Sequence, residues 1–352
     1  MAIQSVNLPR KIVAGPGAIA KIKDVCMDLG LEKKAFVVAD SVTKDICGDD
    51  IVDGLPSARL GIVEDSTYQE VDKVKSMARG SSCIISAGGG RVIDVGKLAA
   101  YQMQIPFISV PTAPSHDGIS SFIAAIRENG MHKSINANVP VAVIADTNII
   151  AKATQKLIAA GCGDIMANIV AVRDWRLARE KGEPYSETAA GFSLLSTKVM
   201  MDSASEIAKR SEKGINDLIL ALITSSASMS LSGSSRPASG SEHMFSHALD
   251  HLGAKGIHGQ QCGIGAIILA YWQEKNSKDI QVRNSGTWMK IKETLKTVGA
   301  PTTFREAGIN PSMAFQALVD AKGIRDRYTI LNEHPIDIKI AEKICQATGM
   351  LA

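Results

Sequence analysis

Short apolar runs alternate with amphipathic stretches over the first 150 residues. Ala35–Ala39 (AFVVA), Arg59–Val63 (RLGIV), Cys83–Ser86 (CIIS), Pro106–Val110 (PFISV) and Val141–Ala145 (VAVIA) are short, often β-branched and bounded by turn residues. That is the pattern of buried strands. Between them, Gly17–Leu29, Gln69–Arg79 and Asp94–Gln102 have helical spacing. Strands alternating with helices predict a parallel sheet covered on both faces. Ile119–Ile126 and Lys133–Asn136, on either side of Asn129-Gly130, predict an inserted hairpin.

The strand signal fades after residue 150. Stretches rich in Ala, Leu, Ile, Met and Lys predict helices over about 163–181, 186–209, 214–231, 240–252, 258–275, 286–297, 310–320 and 336–348. Gly161, Gly182, Gly233, Gly256 and Gly299 are the expected stops. A chain of 352 residues usually carries more than one core. The reading is therefore two domains: an α/β parallel-sheet domain, 1–150, and an all-helical domain, 151–352. The active site is expected in the cleft between them.

Composition narrows the classes. A hydrophobic share of 45% and a charged share of 21% are ordinary for a globular chain. The net charge of +3 comes with scattered Lys and Arg, which argues against nucleic acid as a partner. The most apolar stretch, Ile264–Trp272, falls short of the ~20 residues of a membrane span. Met1–Lys11 lacks the apolar core of a signal peptide, so a cytoplasmic location is expected. The six cysteines form no Cys-x-x-Cys pair and are expected to be reduced and mostly small core residues, a cysteine metal site being the alternative.

The strongest local feature of the first half is CIISAGGGRVIDVGK, residues 83–97. A strand runs into Gly88, Gly89 and Gly90, and a helix follows. The glycines let backbone approach a ligand, and the N–H groups at the helix start suit a pyrophosphate. The alternative is an ordinary tight turn. Asp40, at the end of AFVVA, suits either an adenosine ribose or a helix cap. VPTAPSHDGISS, residues 110–121, follows another strand and is either a cleft-lining or a plain surface loop.

Four of the seven histidines fall between positions 243 and 258. His243, His247 and His251 recur at i, i+4 and share a helix face, and His258 opens the next helix. Two of these near neighbouring helix ends can converge on one ion, though a solvated face gives the same pattern. The run is not a His-Glu-x-x-His motif, because Met244 follows His243. The best anionic partner is Asp164 in AAGCGDIMAN, where its other reading is an N-cap at a helix start. One Asp and two His make the three-ligand pattern of catalytic zinc.

GGGRVIDVGK, VPTAPSHDGISS, GCGDIMAN, SGSEHMFSHALD and HGQQCG stand in this order between residue 10 and about residue 275. The ordered set resembles the glycerol-1-phosphate dehydrogenases, within the wider group of iron-containing alcohol dehydrogenases, glycerol dehydrogenases and dehydroquinate synthases. The resemblance implies a Rossmann-like first domain, a helical second domain and a metal in the cleft. It implies Asp164, His243 and His258 as metal ligands. Asp117 and His247 would be catalytic and near substrate, with Asp164 touching it too. The dinucleotide, NAD or NADP, would meet Gly90, Arg91, Val92, Ile93 and Asp94, then Thr112, Ala113, Pro114 and Ser115, and Ser121. The residue four after Asp164 is Asn168, where the iron-type alcohol dehydrogenases carry histidine; this points to zinc. Dehydroquinate synthases carry Glu where Asp164 stands. Gln260 replaces an expected acidic residue after His-Gly.

The implied activity is NAD(P)H-dependent reduction of dihydroxyacetone phosphate to sn-glycerol 1-phosphate, for archaeal-type membrane phospholipid synthesis. One zinc per subunit, a small-molecule substrate and a homo-oligomer go with it. Arg236 is the expected phosphate partner, or else a surface residue. A glycerol or other polyol dehydrogenase is the alternative enzyme. A non-catalytic nucleotide- or metal-binding protein is the alternative from another class.

Overall fold

The protein is described by a computed structural model covering residues 5–128 and 131–352. Eight strands run β1 Lys11–Gly15, β2 Ala35–Ala39, β3 Arg59–Ile62, β4 Cys83–Gly88, β5 Phe107–Pro111, β6 Ile123–Glu128, β7 Met131–Asn136 and β8 Ala142–Asp146. Six of them form one parallel sheet, in the order β1-β8-β5-β4-β2-β3. The helices of this half are α1 Ile22–Asp28, α2 Asp49–Gly54, α3 Tyr68–Met77, α4 Gly90–Met103 and α5 Thr147–Ile150. Alternate residues of β2 feed opposite faces. Phe36 and Val38 join one apolar cluster, and Ala35 and Val37 join the other. A strand buried on both faces must be apolar throughout, which is why AFVVA read as an unbroken run.

All five expected strands are present. β1 had no strong signal, because an edge strand with partly exposed side chains needs no continuous apolar run. β6 and β7 pair antiparallel, with Ile123 opposite Asn136, so the hairpin forms. Its expected Asn129-Gly130 turn lies outside the described residues. β6 begins later than expected, because Asp117–Ile119 forms a 3-10 turn instead. The Lys97 ammonium fixes that turn, donating to the Gly118 and Ile123 carbonyls, each at 2.6 Å.

The remaining helices are α6 Gln155–Glu180, α7 Glu187–Asp202, α8 Ala204–Ala208, α9 Glu212–Ser232, α10 Ser241–His251, α11 His258–Asn276, α12 Ile280–Arg283, α13 Thr287–Thr297, α14 Phe304–Ala307, α15 Pro311–Asp320, α16 Ile330–Glu333 and α17 Ile338–Ala347. Gly182, Gly233 and Gly299 end helices in the left-handed region, at φ of 89°, 66° and 71°. Gly161 does not. α6 starts earlier than the sequence pattern indicated and runs through Gly161 and Gly163. Asp164 is therefore mid-helix, and the N-cap reading of it is wrong. The expected helix over 186–209 is two helices, broken at Ser203, whose hydroxyl bonds to Asp217.

Among the described residues two helices, α6 and α9, are long and apolar enough to cross a membrane by length and composition alone. Of their most apolar windows, 78% and 67% of residues are buried inside the protein, so packing consumes those faces. One apolar cluster runs without a break from the sheet, through Val38, Ile84 and Val143, into the helices at Ile165, Leu222 and Ile267.

Candidate active site

At the sheet's carboxyl edge, β2 connects outward to β3 while β4 connects the other way to β5. Loops diverging from neighbouring strands leave a crevice, the usual ligand position in open α/β sheets. A cavity of about 620 Å³ opens there and extends down to α6, α10 and α11. Its upper wall contains Asp40, Gly89, Gly90, Arg91, Val92 and Asp94, together with Thr112, Ala113, Ser115 and Ser121. Gly89 is the N-cap of α4, and a Cβ there would meet open space. A Cβ at Gly90 would overlap the His116 ring. The free helix start therefore faces the cavity, as a pyrophosphate site requires.

Three expected cofactor residues fall outside the wall. Gly88 packs beneath Val92, Ile93 is wholly in the core, and the Pro114 carbonyl lies against Gly161 of α6. A helix presents only one face to a ligand, so a continuous run from Gly90 to Asp94 could not all line it. Asp40 braces the turn that follows β2. Its Oδ1 accepts from the Val42 and Thr43 amides at 3.0 and 2.7 Å, while the residue stands on the cavity wall.

The lower end carries the histidines. One ligand atom each from Asp164, His243, His258 and Cys262 lies within 4.8 Å of the others. Asp164 Oδ1 is 3.5 Å from His243 Nε2. Two donors on one tetrahedral ion, at bond lengths of ~2.0–2.1 Å, stand about 3.4 Å apart. His243 Nδ1 donates to the Glu242 carboxylate at 2.9 Å, which leaves Nε2 as the ligand atom. Ser246 gives its hydroxyl proton to Gln261 Oε1 and so accepts from His258 Nδ1 at 3.1 Å. Both imidazoles are thus set to offer Nε2. Burial opposes charge on Asp164, but hydrogen bonding and charge from His243 outweigh it and hold the carboxyl below its ordinary pKa. The donor chemistry fits a divalent ion of the zinc type.

Asp117 lies between the two ends. Its amide donates to Asp164 Oδ2 at 2.9 Å, and its Oδ2 accepts from Ser225 at 2.8 Å. Burial first, and then the neighbouring Asp164, pushes its carboxyl up to about 7. His247 also lines the cavity, its ring centroid 5.6 Å from that of His258. Arg325 donates to His247 Nε2 at 2.7 Å, so that nitrogen is an acceptor.

A profile of the iron-containing alcohol dehydrogenase family matches residues 13–154. A glycerol-1-phosphate dehydrogenase [NAD(P)+] of Methanothrix thermoacetophila is 46% identical, covering 93% of this chain and 92% of its own length. One of Pyrococcus furiosus is 44% identical, covering 98% and 99%. The chain belongs to the glycerol-1-phosphate dehydrogenase family. Solved structures share the fold at low identity. A probable glycerol dehydrogenase of Sinorhizobium meliloti superposes with a TM-score of 0.78 at 19% identity, covering 99% of each chain. A sulfoacetaldehyde reductase of Bifidobacterium kashiwanohense, solved with NAD+, gives 0.76 at 15%, covering 100% of each.

Within this member of the glycerol-1-phosphate dehydrogenase family, several residues around the site take parts that the sequence did not assign to them. Cys262, read as a core cysteine, sits 3.5 Å from His258 Nε2. It does not line the cavity, yet its Sγ is one of the four converging donor atoms and lies nearer His258 Nε2 than Nδ1. The i, i+4 spacing from His258 was the available clue. Asn168 supplies no ligand; its Nδ2 donates to Ser196 and Ser225, each at 3.0 Å. Ser225 passes that contact on to Asp117. Buried Asp174 anchors the start of α10, accepting from the Ser241 amide at 2.7 Å. Arg236 fails its expected role, since it pairs with Glu183, donates to the Tyr328 carbonyl at 2.9 Å and lies off the cavity wall.

Proposed function

We infer that the chain reduces dihydroxyacetone phosphate to sn-glycerol 1-phosphate with NADH or NADPH, the first committed carbon skeleton of archaeal-type phospholipids. The names of its relatives support this reading. The observation that carries it is one cavity joining the open start of α4 to the Asp164, His243 and His258 cluster. When bound there, a divalent ion, which we take to be zinc, polarises the ketone oxygen, and the reduced nicotinamide supplies hydride.

The chain's own residues do the rest. Asp164, His243 and His258 hold the ion, with Glu242 and Ser246 fixing the ring orientations. The Gly89–Gly90 backbone and Asp40 take the dinucleotide phosphates and ribose. Asp117 lines the cavity between cofactor and ligand cluster and is placed to touch substrate. His247 presents Nε2 as an acceptor in this arrangement, so a proton delivered through it first needs Arg325 to release that nitrogen.

The test is oxidation of NADH and NADPH with dihydroxyacetone phosphate, against glycerol with NAD+ and NADP+, on protein of measured metal content. Turnover of the phosphorylated ketone well above glycerol is expected; the reverse order overturns the reading. Asp117→Asn is expected to lower kcat about 100-fold while the KM for NADH stays within a few-fold. A cofactor KM that rises as much as kcat falls would move Asp117 to the nucleotide side. We take the enzyme to work in the cytoplasm as a homo-oligomer, the form the family resemblance implies, and analytical ultracentrifugation reads the assembly directly.

A further inference from the structure

A phosphate ester needs cationic partners, and Arg236 is engaged elsewhere. The cavity wall holds one arginine below the cofactor end that the sequence pattern did not single out, Arg325, between the Ala321–Gly323 turn and α16. Its Nη2 donates to Ser134 Oγ at 3.0 Å and to His247 Nε2 at 2.7 Å, and its Nη1 reaches Ser239 Oγ at 3.5 Å. Arg327 lies beside it, donating to the Ser239 carbonyl and to Ser235 Oγ at 2.9 Å. Among the described residues neither guanidinium has a carboxylate within 4 Å, whereas Arg236 has Glu183. Burial, then the Arg325 and Arg236 charges, pulls Arg327 down to about 10. Adjacent part-buried cations with no carboxylate in contact are stabilised by an anion placed between them.

Position agrees with charge. A single imidazole, His247, separates Arg325 from His258. A ketone oxygen at the ligand cluster and a phosphate on the neighbouring carbon are short enough to bridge that gap. Ser134, Ser235 and Ser239 all line the same wall and add neutral donors. The dinucleotide phosphates belong to the opposite end, at Gly89 and Gly90.

We propose that Arg325 binds the phosphate group of the substrate, with Arg327 backing its charge and Ser134 of the β6–β7 hairpin completing the site. This rests on dihydroxyacetone phosphate being the substrate. The fork of Arg325 presents several N–H groups in one plane, a geometry suited to phosphate oxygens.

The test compares Arg325→Gln and Arg325→Lys with the unmodified enzyme on two ketones, dihydroxyacetone phosphate and dihydroxyacetone, with inorganic phosphate as inhibitor. In Arg325→Gln, kcat/KM for the phosphorylated ketone is expected to fall about 10²–10³-fold. The loss for dihydroxyacetone, which has no phosphate to hold, should be at least about tenfold smaller, because it carries only the effect of freeing His247, and the KM for NADH and the metal content should stay within a few-fold. Inhibition by inorganic phosphate should weaken in parallel. Arg325→Lys should recover part of the loss, since charge returns without the fork. Equal losses on both ketones, or undiminished phosphate inhibition, would overturn the assignment while leaving the substrate reading intact. An unmodified enzyme idle on dihydroxyacetone phosphate would overturn both.

Discussion

His258→Ala is expected to abolish metal retention and to lower kcat/KM on dihydroxyacetone phosphate at least about 10³-fold, while the fold persists. The size follows from the chemistry, because a metal acting on a developing alkoxide contributes several kcal/mol and each 1.36 kcal/mol is a factor of ten. The persistence follows from position. His258 is the first residue of α11 and its ring faces the cavity, so truncation adds to existing space rather than hollowing the core. Elemental analysis gives metal per chain, circular dichroism gives the helices, and turnover gives the rate. The ligand geometry makes the result specific. Removing Nε2 of His258 leaves Asp164 and His243 facing each other at 3.5 Å, two of the three expected ligands. Turnover near that of the unmodified enzyme in a variant stripped of metal would sink the mechanism.

Gly163→Ala is expected to cost both stability and metal binding, by separating two helices. A Cβ at Gly163 would overlap the carbonyl oxygen of Gly259 and press on the Gly263 backbone at 3.4 Å. A Cβ at Gly259 would overlap Ala160 in return. Here α6 and α11 touch backbone to backbone, with no flexible side chain to give way. Overpacking typically costs ~1–3 kcal/mol, against a helix-propensity gain of ~1 kcal/mol for replacing Gly by Ala. Contact with rigid backbone puts the net effect on the destabilising side. Asp164 is the next residue on α6, and His258 is next to Gly259 on α11. Moving the helices apart therefore moves the ligands apart, and metal affinity should drop by more than tenfold. Gly191→Ala is the control: Gly191 also sits inside a helix, but a Cβ there meets nothing within 4 Å. It should leave metal binding unchanged and raise the melting temperature slightly. Equal behaviour of the two variants would show that the glycine contact does not set the ligand spacing.

Much of this architecture was legible in the chain. The five apolar runs became five strands of the parallel sheet, and the glycine segment became the open start of α4. His243 and His258 were marked by their spacing, and the ordered motifs brought in Asp164. Those signals are local: strand periodicity, turn chemistry and i, i+4 recurrence are written within a dozen residues. The errors were local as well. Glycine in a helical pattern reads as a stop, yet Gly161 and Gly163 remain inside α6, where the missing Cβ admits Pro114 and α11.

The sequence by itself therefore determined the α/β-then-helical order and the glycine turn that opens α4, and its ordered motifs marked the three residues that the fold then brings together. Only the tertiary structure decided what surrounds them. Cys262 joins the converging donor atoms, Ser225 links Asn168 to Asp117, and Arg325 rather than Arg236 reaches the cavity. Each of these pairings brings together residues on different elements, or tells two helix faces apart. Helix packing fixes such contacts, and the approach of α6 to α11 at Gly163 and Gly259 is the contact that sets the distance between Asp164 and His258.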